Sequence, residues 1–300
     1  MTFFHRLLAI AAACAASATW AIADPAPAAT GAAALKARYA DLRGNLENTA
    51  FGRPLQLVSS EEGRTQKGDV YGVLEYPFSV VSRGLGEAQS WCDVMILPYN
   101  TKHCHSSAAG SEKEIAVRIG RKADQDPKDA QLIGFRFHPQ ADSPEYFRVV
   151  LDAADGPLGT RDYRIVLEAT PIDDNRTFLH LSYSYGYGTL SKVAMQAYLS
   201  TLGASKVGFT TDTRAGELVR GMRGVMERNT MRYALAIEAY LASLDTPREA
   251  RVAKRLNDWF TATERYPRQL AEEDIDRARY LSMKQREYAR MASVTTASGS

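Results

Sequence analysis

Residues 177–187, TFLHLSYSYGY, alternate in polarity along the whole stretch. One face of the predicted strand carries Leu179, Leu181, Tyr183, Tyr185 and Tyr187, and the other carries Phe178, His180, Ser182 and Ser184. A period of two residues is typical of a β-strand with one buried face. The tyrosine face therefore lines either a packed core or a cavity, and we assign His180 on the opposite face no catalytic role.

Four shorter stretches with the same alternation precede this strand, at residues 115–119, 133–137, 147–151 and 163–169. Turn-forming segments rich in Asp, Pro, Gly and Asn separate them. Five such strands predict an antiparallel meander. Two earlier strands, at 55–58 and 70–76, flank the polar loop EEGRTQKGD.

Apolar residues recur at helical spacing in five other regions. They predict a short helix at 33–49, one helix from Phe78 to Met95, a helix at 191–202, a long helix at 217–244 and further helices at 246–292. An antiparallel sheet must cover its apolar face, and a long amphipathic helix can do so. The sequence thus predicts an α+β fold, a curved antiparallel sheet covered by a long C-terminal helix, with an additional C-terminal helical extension.

Two segments resemble the START-like, helix-grip superfamily, which includes polyketide cyclase-like and steroid-transfer proteins. They are GDVYGVLEYPFSVVSRGLGEAQSWCD at residues 68–93 and RTFLHLSYSYGYG at residues 176–188. The resemblance covers about residues 54–245. It implies a cavity under the long helix that holds a hydrophobic ligand or lipid.

The N-terminal residues predict export. An apolar run after Arg6 ends in Ala21-Ile22-Ala23, which predicts a signal peptide cleaved after residue 23. The remaining divisions are a flexible lead at 24–32, a START-like domain at 33–245, the helical extension at 246–292 and a disordered tail at 293–300. The expected location is the bacterial periplasm or the medium. Lipidation at Cys14 is an alternative that would tether the chain to a membrane.

The segment WCDVMILPYNTKHCH, at 91–105, has three interpretations. A zinc site would use Cys92, His103, Cys104 and His105, but adjacent ligands are unlike the separated pairs of tetrahedral sites. A cysteine nucleophile would need a free thiol. In an oxidising compartment a disulfide between Cys92 and Cys104 is favoured, fastening a helix to the loop before the strand at Ile115.

Composition and motifs exclude several functions. The 37 basic and 35 acidic residues leave a formal net charge of +2, which gives no electrostatic reason to expect nucleic acid. The sequence has no GxSxG elbow, no HExxH and no GxxxxGK[ST]. We expect no metal, no cofactor and no transmembrane segment in the mature chain.

The densest polar cluster is RGMRGVMERNTMRY, at 220–233. One interpretation is a solvated charged flank with a satisfied amide at Asn229. The other is that Arg228 or Asn229 fixes the polar head of an apolar ligand. The predicted ligand-binding residues are Tyr183, Tyr185, Arg228, Asn229 and Tyr233.

The favoured function is an exported, non-enzymatic binder or carrier of a hydrophobic small molecule or lipid. The first alternative is a hydrolase or cyclase acting on a lipid-like substrate, with Glu227 as acid/base and Arg228 as anion stabiliser. The second is an envelope scaffold that holds a protein partner through residues 246–292.

Overall fold

The computed structural model of the 300-residue chain describes residues 31–109, 112–189, 193, 206–213, 215–272 and 275–297. The predicted signal peptide, the lipidation site at Cys14 and all but one residue of the predicted helix at 191–202 lie outside these ranges.

The described residues form one sheet of eight antiparallel strands, in the order β1-β2-β8-β7-β6-β5-β4-β3. The strands are β1 Leu55–Glu62, β2 Thr65–Leu74, β3 Thr101–Ala109, β4 Glu112–Ile119, β5 Gln131–Ser143, β6 Tyr146–Asp155, β7 Thr160–Pro171 and β8 Thr177–Tyr187. The strands β3 to β8 form the meander, and the first hairpin joins it through the pairing of β2 with β8. The predicted α+β class is confirmed.

Seven α-helices lie within the part of the chain that the structure describes. They are α1 Gly31–Glu47, α2 Phe78–Leu85, α3 Ala88–Met95, α4 Gly221–Ala242, α5 Arg251–Glu264, α6 Pro267–Leu270 and α7 Arg277–Ala297. The last helix extends into the segment 293–300, which the sequence predicted to be disordered. Within the described ranges, none of these helices combines the length and apolar character needed to cross a bilayer.

Two sequence predictions about the region 78–109 are wrong. The single helix over 78–95 is broken, because Glu87 has extended backbone angles between α2 and α3. Both helices bury apolar residues in one core, so the apolar spacing continues across the break. The predicted loop holding Cys104 is the edge strand β3, whose TKHCHSSAA lacks the large aliphatic residues that would have revealed it.

The long helix α4 covers the inner face of the sheet at β1 and β2. Gly68 in β2 allows this close approach, since a Cβ built there would lie 2.3 Å from Thr230 Oγ1 and 3.1 Å from Met226 Cγ. α4 is therefore the helix that the sequence predicted to cover the sheet.

The extension at 246–292 shares the main core with the sheet instead of forming a separate cluster. Trp259 of α5 and Tyr280 of α7 stack at 5.2 Å, and Tyr99 packs edge-on against both rings. The Tyr280 hydroxyl also donates a hydrogen bond to the Leu97 carbonyl at 3.0 Å. These contacts join the C-terminal helices to the segment between α3 and β3.

The outer face of the sheet is partly covered by α1, which buries Leu35, Leu42 and Leu46 against Tyr146 and Phe178. This small second core lies on the opposite side of the sheet from the main one. An antiparallel meander is expected to have a solvent-exposed outer face. In this structure α1 covers part of that face.

His180 lies on this outer face between two carboxylates. Its Nε2 is 2.9 Å from Asp69 and its Nδ1 is 3.0 Å from Glu168, and the ring stacks on Tyr71 at 4.4 Å. Burial disfavours the charged imidazole, but the hydrogen bonds to Asp69 and Glu168 outweigh it and raise the pKa of His180. Only the imidazolium can donate to both carboxylates at once.

We expect His180→Gln to destabilise the protein by about 2 kcal/mol at pH 5.5, the value of hydrogen bonds to charged groups. The folded pKa lies above the unfolded one, so this stability is complete below about pH 6.5 and is lost as the pH rises through the folded pKa. The loss should therefore be smaller at pH 8.5. Urea unfolding at both pH values measures it, with His138→Gln at a more exposed position as the control. Equal losses at the two pH values would contradict the assignment.

Candidate ligand-binding cavity

A cavity of about 480 Å³ lies between the inner face of the sheet and the first half of α4. This volume falls within the ~300–1,000 Å³ typical of small-molecule sites. The sheet contributes Val117, Ile119, Ile133, Phe135, Tyr163, Ile165, Tyr183, Tyr185 and Tyr187, and α4 contributes Met222, Val225, Arg228, Asn229, Arg232 and Tyr233. Leu158 also lines it and is 69% exposed, so the cavity opens to solvent at the end of the sheet where β8 ends.

Four tyrosine rings form one wall. Tyr163 stacks on Tyr185 at 5.4 Å, and Tyr183 lies 5.9 Å from Tyr185 and 5.7 Å from Tyr233. Burial raises the pKa of Tyr233 to about 12 and holds that of Tyr183 well above its usual value, so the phenols are neutral at physiological pH. Neutral phenols suit this wall to an apolar molecule that carries a few polar atoms.

The tyrosine hydroxyls differ in their partners. The Tyr163 hydroxyl lies 2.8 Å from Thr160 Oγ1. Within the described residues, no hydrogen bond reaches the hydroxyls of Tyr183, Tyr185 and Tyr233. Each of these three can donate to or accept from a group that enters the cavity.

Basic side chains gather at another part of the wall, around the carboxylate of Glu272. Lys122 Nζ lies 2.6 Å and Arg232 Nη2 lies 2.9 Å from Glu272 Oε1, and Lys206 Nζ lies 3.7 Å from Oε2. Arg228 Nη1 donates to the Val207 carbonyl at 3.1 Å. The three contacts with Glu272 link α4 to the loops that carry Lys122 and Lys206.

All five residues predicted to bind ligand line this single cavity. Their role in binding stays a prediction. Sequence reasoning missed Lys122 and Lys206, which lie in loops where no periodicity indicates a direction. It placed Tyr163 and Phe135 on inward strand faces without indicating that this part of the core is open.

Glu227, the acid/base of the enzyme alternative, does not line the cavity. Its side chain is fully buried and accepts hydrogen bonds from Ser59 Oγ at 2.6 Å and from the backbone N–H groups of Phe209 and Thr210 at 2.6 and 2.9 Å. The Thr210 hydroxyl donates a further one. These bonds fasten the segment 206–213 to α4 and direct the carboxylate away from the space where a substrate would lie.

The predicted disulfide is confirmed. Cys92 of α3 and Cys104 of β3 are joined, with their Cα atoms 5.2 Å apart and both side chains buried. The bond fastens α3 to an edge strand instead of to a loop. With both sulfur atoms in the crosslink, neither cysteine is a thiolate nucleophile or a zinc ligand in this structure.

Comparisons with known proteins find neither a matching family model nor a matching curated protein. Solved structures do match. A protein from Arthrobacter aurescens is 12% identical, with 63% of this chain and 92% of that chain covered and a TM-score of 0.35. The Zhui aromatase/cyclase from a Streptomyces species is 13% identical, with 71% and 95% covered and a TM-score of 0.31.

Norcoclaurine synthase from Thalictrum flavum, in complex with dopamine and hydroxybenzaldehyde, is 11% identical, with 50% of this chain and 90% of that chain covered and a TM-score of 0.30. At such identities a likeness concerns the fold alone. Membership of the START-like superfamily stays a prediction.

Proposed function

We propose that this chain is an exported, START-like protein that binds or carries a hydrophobic small molecule in the cavity between the sheet and α4. The observation that carries the proposal is the cavity itself, about 480 Å³ of space with walls mainly of aliphatic and aromatic side chains. Well-packed cores leave few voids larger than a water molecule, so a space of this size favours a ligand over incomplete packing.

A carrier is favoured over an enzyme because of where the acidic side chain lies. Glu227 is fully engaged by Ser59, Phe209 and Thr210, outside the cavity wall. Arg228 does reach the wall, where it can orient a polar atom of a ligand. Export is supported by the apolar leader that ends at Ala23 and by the disulfide, which suits an oxidising compartment.

The scaffold alternative gains less support. The helices between 246 and 292 direct Leu256, Trp259, Phe260, Tyr280 and Met283 into the main core. A protein partner would therefore meet mainly their polar sides.

Uptake of the neutral, apolar dye Nile red tests the proposal. We expect saturable binding with enhanced fluorescence, and we expect Val225→Trp to reduce the affinity at least tenfold, because an indole at this position of α4 fills the cavity. Leu132→Trp adds the same ring at an exposed position and serves as the control. Absence of saturable binding, or equal binding by both variants, would contradict the proposal.

A further inference from the structure

Four cationic side chains line the cavity: Lys122, Lys206, Arg228 and Arg232. Lys122 follows β4, Lys206 precedes α4, and the two arginines lie one turn apart on α4. Elements far apart in sequence thus bring their positive charges to one region of an otherwise apolar and aromatic wall. Charged groups beside apolar space are costly to desolvate. This arrangement is therefore not expected in a cavity that binds a purely apolar molecule.

The positions of these cations are fixed before any ligand arrives. Glu272 holds Arg232 and Lys122 through contacts of 2.9 and 2.6 Å. Lys206 donates to the Ala271 carbonyl at 3.1 Å and lies 3.7 Å from Glu272 Oε2. Arg228 is held by the Val207 carbonyl. Charges that are already oriented bind an anion without a further ordering cost.

The remainder of the wall suits a hydrocarbon group. Ile133, Phe135 and Ile165 come from neighbouring strands, and the rings of Tyr163 and Tyr183 continue this surface. The volume of about 480 Å³ lies in the lower half of the ~300–1,000 Å³ range, which fits one compact molecule.

We infer that the ligand is an amphiphile with one compact hydrocarbon part and an anionic head group, and that Lys122, Lys206, Arg228 and Arg232 form the head-group site. This inference rests on the proposed function and assigns the chemical class of its ligand. A carboxylate or a phosphate satisfies the site, since lysine and arginine form charge-assisted hydrogen bonds with either.

The protonation of Lys122 gives the site a characteristic pH dependence. Burial, together with the charges of Arg232 and Lys206, lowers the pKa of Lys122 to about 8, although Glu272 opposes the shift. An anionic head group beside Lys122 favours the charged ammonium. The affinity for a carboxylate amphiphile, whose charge is constant over this range, should therefore fall as the pH rises from 7 to 9.5, and the affinity for a neutral one should not.

Competition against Nile red with four ligands that share a dodecyl chain tests the head-group site. They are dodecanoate, dodecyl phosphate, dodecan-1-ol and dodecyltrimethylammonium, each used below its micellar concentration or, for the alcohol, its solubility limit. At pH 7 we expect at least one of the two anions to bind about tenfold more tightly than the alcohol, a step that corresponds to 1.4 kcal/mol. We expect the cation to bind more weakly than the alcohol. The better of the two anions identifies the head group.

Variants of the two lysines locate the site. Lys206→Met and Lys122→Met should each weaken the preferred anion about tenfold more than they weaken dodecan-1-ol, whose binding also reports that the variant is folded. Lys122→Met should in addition reduce the pH dependence. Lys254→Met, on α5 beside Asp258, is the matched control.

The outcomes separate the two claims. If Nile red itself does not bind saturably, the proposed function fails. If Nile red binds but none of the four ligands displaces it, the inferred ligand class fails while the cavity remains a binding site. If the alcohol or the cation binds as tightly as both anions, or if the lysine variants leave anion binding unchanged, the head-group inference fails while the cavity remains a binding site.

Discussion

Replacement of Glu287 by glutamine is expected to lower the free energy of unfolding by about 3–5 kcal/mol, the cost of leaving buried charge without its partner. Glu287, Lys102 and Lys284 are all fully buried between α7 and β3. The carboxylate accepts from Lys102 Nζ at 2.9 Å and from Lys284 Nζ at 2.7 Å. A neutral amide would leave two buried ammonium groups without a counter-ion.

The backbone contacts of these lysines explain why the cluster is tolerated. Lys102 also donates to the carbonyls of Tyr99 and Ala123, and Lys284 donates to that of Thr101. Even so, burial lowers the pKa of Lys284 to about 8, below its unfolded value. Folding therefore releases protons, and the stability of Glu287→Gln should increase as the pH rises from 7 towards 10.

Urea unfolding measures this effect, with Glu264→Gln as the matched control. Glu264 pairs with Arg277 at the surface, where an ion pair contributes up to about 1 kcal/mol. Comparable losses in the two variants would show that Glu287 does not neutralise buried charge.

Removal of the crosslink in Cys92→Ala/Cys104→Ala should cost about 3 kcal/mol, because the disulfide closes a short loop and restricts the unfolded chain. The two cysteines are 12 positions apart, and both are buried. The loss should be visible in urea unfolding under oxidising conditions. The same measurement on the parent protein in the presence of dithiothreitol should approach the result for the double variant.

Thiol titration provides the control for this prediction. In a Cys14→Ala background the folded protein should contain no reactive thiol, and unfolding with reduction should release two. Two reactive thiols in the folded, oxidised protein, or a double variant as stable as the parent, would contradict the crosslink.

The strand pattern could be predicted because most inward positions from β4 to β8 carry a large apolar or aromatic residue, and the exceptions include the small apolar residues Ala153 and Ala169. The edge strand β3 was not predicted because its buried residues Thr101, Lys102 and Cys104 produce no alternation of large apolar and polar side chains. The break between α2 and α3 was not predicted, because both helices contribute to one core and the apolar spacing continues across the break.

The candidate site could be predicted only in part. Asn229 and Tyr233 are four residues apart on one helix, a spacing that indicated their common direction, and both line the cavity together with Arg228. Glu227 is their neighbour in sequence, but successive residues of a helix point about 100° apart. The direction of the Glu227 carboxylate is set by its hydrogen bonds with the segment 206–213, which no local pattern indicates. No local pattern relates Lys122 and Lys206 to Glu272, because the three residues come from distant parts of the chain.

The most direct test of the account is the position of a bound ligand relative to the tyrosine rings. Intermolecular nuclear Overhauser effects can be measured between the methylene protons of dodecan-1-ol and tyrosine rings assigned by single Tyr→Phe variants. We predict effects to Tyr183, Tyr185 and Tyr233 inside the cavity, and none to Tyr39 and Tyr146, which contribute to the core under α1 on the outer face. Effects confined to the outer-face rings, or no effects at a saturating ligand concentration, would contradict the claim that this cavity is the binding site.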